Sequence, residues 1–162
     1  MTHRVFVYGT LKKGFWNNPL LKGCEFFGSA VTVPTYSMIS VSHAVITLFP
    51  VIRPSENGKP VAGEIYTVDD EVLERLDRLE GVHKGMYRRE LIDVTLPLAN
   101  GERLRSKAFI YVAGPDGWQE HFDRLPPYGR LNERGELDWR PDRLHEPVMT
   151  MVTLFLTSLR RS

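Results

Sequence analysis

The sequence holds a single cysteine, Cys24, in 162 residues. That excludes an internal disulfide and a zinc site made of four cysteines, and it fits a reducing compartment. Charge of one sign is also lacking. Lysine and arginine number 21 against 20 acidic residues, for a formal net charge of +1. So even a balance gives no electrostatic footprint for DNA or RNA, and no nucleic-acid partner is expected. No apolar run approaches the ~20 residues a bilayer-crossing helix needs, so no membrane partner is expected either. Met1-Thr2-His3-Arg4 leads straight into a strand-like stretch, without the pattern of a signal peptide. The expectation is a cytoplasmic protein. His3, His43, His83, His121 and His145 show no metal-ligand spacing, so no metal is expected. Repeats and low-complexity segments are absent too.

What is present is an ordinary globular composition, 42% hydrophobic and 25% charged. The length fits one domain, placed at residues 1–148. Residues 149–162 are apolar and then basic (Arg160, Arg161). A packed helix, a partner-binding tail and an unstructured end all remain open for them.

Along the chain, Arg4 to Tyr8 reads as a buried strand that ends at Gly9. Asn17-Asn18-Pro19 has the form of a helix start, with Asn18 as cap and Pro19 at the first helical position. Apolar runs at Glu25–Val33, Tyr36–Val41, Ala44–Phe49 and Val61–Val68 read as strands. Tyr87–Pro97 and Arg105–Ala113 do too, joined through Ala99-Asn100-Gly101-Glu102. Asn-Gly between two such runs is a strong hairpin signal. Beyond Gly114, five of the eleven prolines fall in residues 115–147, which predicts long surface loops folded against the core. A mostly β chain with one good helix predicts an α+β fold with a strongly curved sheet or barrel.

That helix is capped by Thr67 or Asp69, carries Asp70 and Glu71 at its positive end, and stops at Gly81. Taking ~100° per residue with Leu73 at zero, Val72, Leu76 and Leu79 fall at about −100°, −60° and −120°. Glu71, Glu74, Arg75 and Arg78 fall on the opposite side. Glu80 lands at about −20°, inside the apolar stripe. Burial and the negative end of the helix dipole would both raise its pKa, towards the range useful for proton transfer. The structural alternative is a helix that frays earlier, leaving Glu80 as a cap or as partner to Arg88 or Arg89. The turn Tyr8-Gly9-Thr10-Leu11 is a second candidate, since amides after a strand-ending glycine can hold an anion.

Three segments in order carry a resemblance: Val5-Phe6-Val7-Tyr8-Gly9-Thr10-Leu11-Lys12-Lys13-Gly14, Val61-Ala62-Gly63-Glu64-Ile65-Tyr66-Thr67-Val68, and Leu76-Asp77-Arg78-Leu79-Glu80-Gly81 with Met86-Tyr87-Arg88-Arg89. Together they resemble the γ-glutamylcyclotransferase-like superfamily over about residues 4–113. Leu11-Lys12-Lys13-Gly14 is closest to its γ-glutamylamine cyclotransferase and AIG2-like branch. The resemblance implies a small mixed β-barrel with flanking helices and no cofactor. It implies a small γ-glutamyl substrate, whose cyclisation to 5-oxoproline would release an amine. It implies Glu80 as the catalytic acid/base and Tyr8, Gly9, Thr10 and Leu11 as the substrate cradle. Tyr87, Tyr111 and Tyr128 are candidate pocket residues; the core is the default place for the first two, while Tyr128, in its Pro-Pro-Tyr-Gly loop, is open to either. Glu64, on a strand face with Tyr66, is read as a structural hydrogen-bonding group ahead of a contact with the site, and Cys24 as a buried thiol. Two other classes compete with the enzyme. One is a non-catalytic binder of a small acidic metabolite on the same fold, and the other an adaptor using residues 149–162.

Overall fold

A computed structural model describes residues 1–43 and 46–141. The tail expected at residues 149–162 lies outside the described residues, and so does His145. Seven strands and two α-helices follow one another as β1 (Thr2–Val7), β2 (Glu25–Thr32), β3 (Tyr36–His43), β4 (Ile46–Pro54), β5 (Ala62–Asp69), α1 (Asp70–Leu79), β6 (Tyr87–Pro97), β7 (Arg103–Ala113) and α2 (Gln119–Arg124). Five of the strands close into a barrel in the order β1-β5-β2-β6-β7, and β3 and β4 form a separate two-stranded sheet. Antiparallel pairs make up the barrel except at its closure, where β1 meets β7 in parallel at Val5 and Phe109. The α+β barrel expected from the sequence is therefore the observed architecture.

The apolar run in β1 is continuous because both of its faces are buried. Phe6 and Tyr8 enter one core cluster, while Val5 and Val7 enter another, as the two-residue period of a strand requires. The first cluster takes residues from every barrel strand, among them Ala30, Ile65, Val94 and Ile110. The second lies beneath α1 and contains Leu73 and Leu76 with Tyr66, Tyr87 and Tyr111. The barrel thus holds α1 by its leucine stripe, and with it the end of α1 that carries Glu80.

Local signals account for the ends of α1. Asp69 is the N-cap, its Oδ1 accepting from the Val72 N–H at 2.8 Å, so of the two expected caps it is Asp69 that acts. Glu80 occupies the C-cap and Gly81 follows at φ 64°, the left-handed conformation that glycine adopts without penalty. The β6–β7 hairpin turns through Leu98 to Glu102 as the Asn-Gly signal predicts, with Gly101 at φ 85°.

Three expectations are corrected. Asn18-Pro19 starts only a single 3-10 turn, Asn18–Leu21, and Asn18 does not cap it. The Asn18 amide donates instead to the Leu11 carbonyl at 2.9 Å and to the Tyr66 hydroxyl at 3.1 Å, tying the segment after the first turn to the barrel. The strand read at Ala44–Phe49 continues through Pro50 to Pro54. In a two-stranded sheet a missing N–H on the outer edge costs no hydrogen bond, so proline does not end it there. Residues 115–141 are more than loops. They include α2 and contribute Trp139, fully buried and the largest of the fully buried side chains.

Candidate active site

A cavity of about 510 Å³ opens where the end of β1, the end of α1 and the start of β6 meet. Its wall includes Tyr8, Gly9, Thr10 and Leu11 on one side and Glu80 and Gly81 on another, with Tyr87 and Tyr111 between. Two segments far apart in sequence, joined only through the barrel, thus line one space.

The turn after β1 is held by its carbonyls. Lys12 donates its N–H to the Gly9 carbonyl at 3.1 Å, and Asn17 donates its N–H to the Thr10 carbonyl at 3.0 Å. The Asn17 side-chain amide also donates to the Thr10 hydroxyl at 2.7 Å. Among the described residues no protein acceptor takes the N–H groups of Gly9, Thr10 and Leu11. Three consecutive amides bordering a cavity and free of protein partners suit an anion. Gly9 has a steric cause as well, since a Cβ there would stand 2.7 Å from both Cγ and Cδ of Pro50. Gly9→Ala is therefore expected to push the turn away from β4 and lower kcat/KM at least tenfold, as small misplacements in a site do. Steady-state kinetics beside a thermal melt would separate that loss from unfolding.

The helix ends at Leu79, so Glu80 is the cap that the structural alternative made it, but its N–H still donates to the Leu76 carbonyl at 2.9 Å and it lines the cavity. The residue is partly exposed, and the surface it keeps faces the cavity. Burial, reinforced by the neighbouring Asp77 carboxylate, pushes its carboxyl up to about 7. Neither arginine offered by the sequence neutralises it. Arg88 pairs with Glu90 and Arg89 with Asp77. Around it the phenols remain protonated. Burial first, then the Glu80 charge, raises both Tyr8 and Tyr87 well above the usual tyrosine range. Tyr111 is raised by burial and by its bond to Asp77.

Asp77 was not singled out in the sequence, although the signal was there. At about 40° from Leu73 it lies nearer the apolar stripe than the other charges of α1. In the structure it accepts from the Tyr111 hydroxyl at 2.7 Å and from the Arg89 guanidinium. The Tyr111 carbonyl in turn accepts from the Tyr8 hydroxyl at 2.6 Å. Arg89, Asp77, Tyr111 and Tyr8 form one chain of contacts that fixes two aromatic walls of the cavity relative to α1.

Two other tyrosine and glutamate candidates fall elsewhere. Tyr128 does not line this cavity. It packs on the barrel's core cluster, where its hydroxyl accepts from the Arg140 N–H at 3.1 Å. The Pro-Pro-Tyr-Gly segment lies against β3 through the Tyr128 N–H and Met38 carbonyl, which carries the ring away from Glu80. Glu64 is the structural group the sequence suggested, accepting from the Lys13 N–H at 2.8 Å and from the Tyr66 hydroxyl at 3.3 Å. Cys24 is half-buried rather than enclosed.

Comparison with known proteins adds to this geometry. The family model for gamma-glutamyl cyclotransferase, AIG2-like, matches residues 5–133. A putative gamma-glutamylcyclotransferase of Methanocaldococcus jannaschii is 36% identical over 108 residues, which are 66% of this chain and 82% of that protein. Gamma-glutamylaminecyclotransferase B of Danio rerio is 38% identical over 137 residues, 82% of this chain and 69% of its own. The crystal structure of a mouse AIG2-like protein shares the fold, with a TM-score of 0.63 at 24% identity over 88% of this chain and 99% of that one. No helix among the described residues is long and apolar enough to cross a membrane. The family match begins inside β1 and runs past Glu80 and the last barrel strand, and on that span the chain belongs to the gamma-glutamyl cyclotransferase, AIG2-like family.

Proposed function

We propose that the chain is a cytoplasmic γ-glutamylcyclotransferase, acting on a γ-glutamylamine or a γ-glutamyl amino acid. The observation that carries this reading is the Glu80 carboxyl. It is held near neutrality on the wall of a cavity whose opposite side is bordered by three backbone amides that no acceptor among the described residues takes. The names of the relatives in Methanocaldococcus jannaschii and Danio rerio support the same reaction.

In this reading the amides of Gly9, Thr10 and Leu11 hold the substrate's α-carboxylate. Ionised Glu80 takes a proton from the α-ammonium group. The freed amine attacks the γ-carbonyl carbon, forming the new C–N bond of a five-membered lactam. As the original γ-amide C–N bond breaks, Glu80 returns its proton to the departing nitrogen, and the second proton shed by the ring nitrogen goes the same way, so the amine leaves as an ammonium ion. The products are 5-oxoproline and the amine as its ammonium ion, and atoms and charge balance without a metal or an organic cofactor. A group that serves as base and then acid works best with a pKa near the operating pH. The Tyr8 hydroxyl donates to the Tyr111 carbonyl and the Tyr87 hydroxyl to the Pro50 carbonyl at 3.3 Å, so both rings are fixed walls of the space, and the barrel supplies the positioning that makes a ring closure efficient.

The test is 5-oxoproline release from γ-glutamyl-ε-lysine, γ-glutamyl-alanine and glutathione, parent beside Glu80→Gln. Release that depends on Glu80 supports the reading. No release from folded protein would favour a binder on the same scaffold. The pH dependence adds a second check, because only ionised Glu80 accepts the first proton. kcat/KM should rise with pH and level off above a midpoint near 7. Asp77→Asn removes a like charge and releases Arg89, so the rise should move to lower pH. An unmoved midpoint would mean that Asp77 does not act on Glu80.

A further inference from the structure

The cavity is larger than its reacting end. About 510 Å³ is within the range that holds ligands well beyond a glutamyl group in size. Part of the wall belongs to residues the proposed chemistry does not use: Phe49, Arg78, Lys84 and Trp118. Backbone hydrogen bonds bring their segments together. Lys84 donates its N–H to the Gly81 carbonyl, and Gly81 donates to the Arg78 carbonyl. Next to them, Asp116 donates to the Gly85 carbonyl at 3.0 Å and Gly114 to the Met86 carbonyl at 2.9 Å. The cations and the loop that ends in Trp118 therefore form one continuous rim.

Trp118 is held at a cost. Its φ is 74°, the one positive value at a non-glycine position among the described residues. The left-handed conformation costs a residue with a Cβ about 1–2 kcal/mol, and such strain gathers at functional positions. What the strain achieves here is placement. The indole stands edge-on to Phe49 at 5.3 Å between ring centres and beside Tyr87 at 5.7 Å. The charges on the rim are also unbalanced. Arg75 is tied to Glu71 at 2.7 Å, but Arg78 and Lys84 are exposed and form no ion pair among the described residues. Among the described residues Glu80 is the one carboxylate on the wall.

We propose that Trp118, Arg78 and Lys84 form the subsite for the departing amine, and that they select amines joining an apolar body to a carboxylate. The body lies against the Trp118 and Phe49 rings, and the carboxylate meets the two cations at the rim. This rests on the proposed reaction, because it takes the leaving group as the occupant. It goes further by naming which leaving groups are favoured and which residues choose them.

Affinities measured by calorimetry on the Glu80→Gln protein separate the subsite from turnover. γ-Glutamyl-phenylalanine and γ-glutamyl-phenethylamine differ only in the carboxylate of the leaving group. The first should bind about fivefold more tightly, a modest ratio because both cations are solvated. With Arg78→Gln and Lys84→Gln added, the ratio should fall towards one. A ratio of one at the outset overturns the proposal, and so does one that survives the double substitution or a failure of both compounds to bind. Equal weakening of both compounds with the ratio intact would assign the cations to the glutamyl end. Trp118→Gly suits the local φ, so the fold should hold. The gain in affinity from γ-glutamyl-glycine to γ-glutamyl-phenylalanine, about tenfold in the starting protein, should shrink to less than twofold. An undiminished gain would remove Trp118 from the subsite. If the parent protein releases no 5-oxoproline while these affinity ratios behave as described, the reaction fails and the subsite stands.

Discussion

Glu80→Gln is expected to slow 5-oxoproline release by about 10²–10⁴, the usual worth of a positioned proton-transfer group, and at the same time to make the protein more stable in alkaline solution. The second effect follows from the same desolvation as the first. The Glu80 carboxyl stands at about 7 in the folded protein against 4.5 for the unperturbed group. Its folded pKa is thus raised, so any stability it lends is complete below pH 4.5 and is lost as pH climbs through 7. Below pH 4.5 the group is neutral in both states and the substitution should do little. Between 4.5 and 7 the unfolded chain gives up its proton first, and the parent loses about 1.4 kcal/mol per pH unit relative to an uncharged side chain. Above pH 7 the gap levels off at about 3 kcal/mol, an upper value because the carboxyl borders a cavity that admits water. Glutamine has no such titration, so the variant's advantage should open across that window. Urea unfolding at pH 4.5 and at pH 8.5 reads it directly. A variant as active as the parent sinks the catalytic role, whereas a stability gap that ignores pH would mean the carboxyl is not desolvated.

That carboxylate could be found in the sequence because everything that places it is local. Asp69, the leucine spacing and Gly81 fix where α1 begins, which face it buries and where it stops. Glu80 follows from counting residues around a helix. The turn at Tyr8 to Leu11 was legible for a related reason, since a strand that ends in glycine marks a close backbone approach whatever lies opposite. What lay opposite could not be read. Pro50 stands against Gly9, and Tyr111 reaches Asp77 across 34 residues of sequence. Trp118 enters the same cavity from beyond the last barrel strand. Each of these contacts depends on how distant elements pack together rather than on any neighbouring residue. Tyr128 shows the converse. Its loop has the composition of a surface segment, and only its pairing with Met38 decides that the ring turns to the core.

Trp139→Ala is expected to destabilise the fold by about 3–5 kcal/mol, the range for emptying a large aromatic site in a packed core. The side chain has no exposed surface, and its indole N–H donates to the Ser40 hydroxyl at 2.9 Å. Phe15 and Trp16 meet the ring edge-on, with centres 5.8 and 6.1 Å away. No close neighbour can refill the space without dragging the first turn with it, so relaxation should recover little of the loss. The consequence for function runs through Lys12, the residue after Leu11. Its buried ammonium donates to the Trp139 carbonyl at 2.8 Å and lies 3.3 Å from an Asp138 carboxylate oxygen. Trp139 therefore anchors the turn that borders the cavity. The substitution keeps that backbone carbonyl but removes the packed ring that holds it in place, so the turn loosens at the end that would hold the substrate's α-carboxylate. KM should rise by more than kcat falls, because Glu80 is held by α1 on another part of the wall. Urea midpoints and steady-state kinetics on the folded variant measure both effects. A loss of stability below about 1 kcal/mol would place Trp139 outside the core in solution. A loss of kcat with KM unchanged would cut the link between this anchor and the substrate cradle.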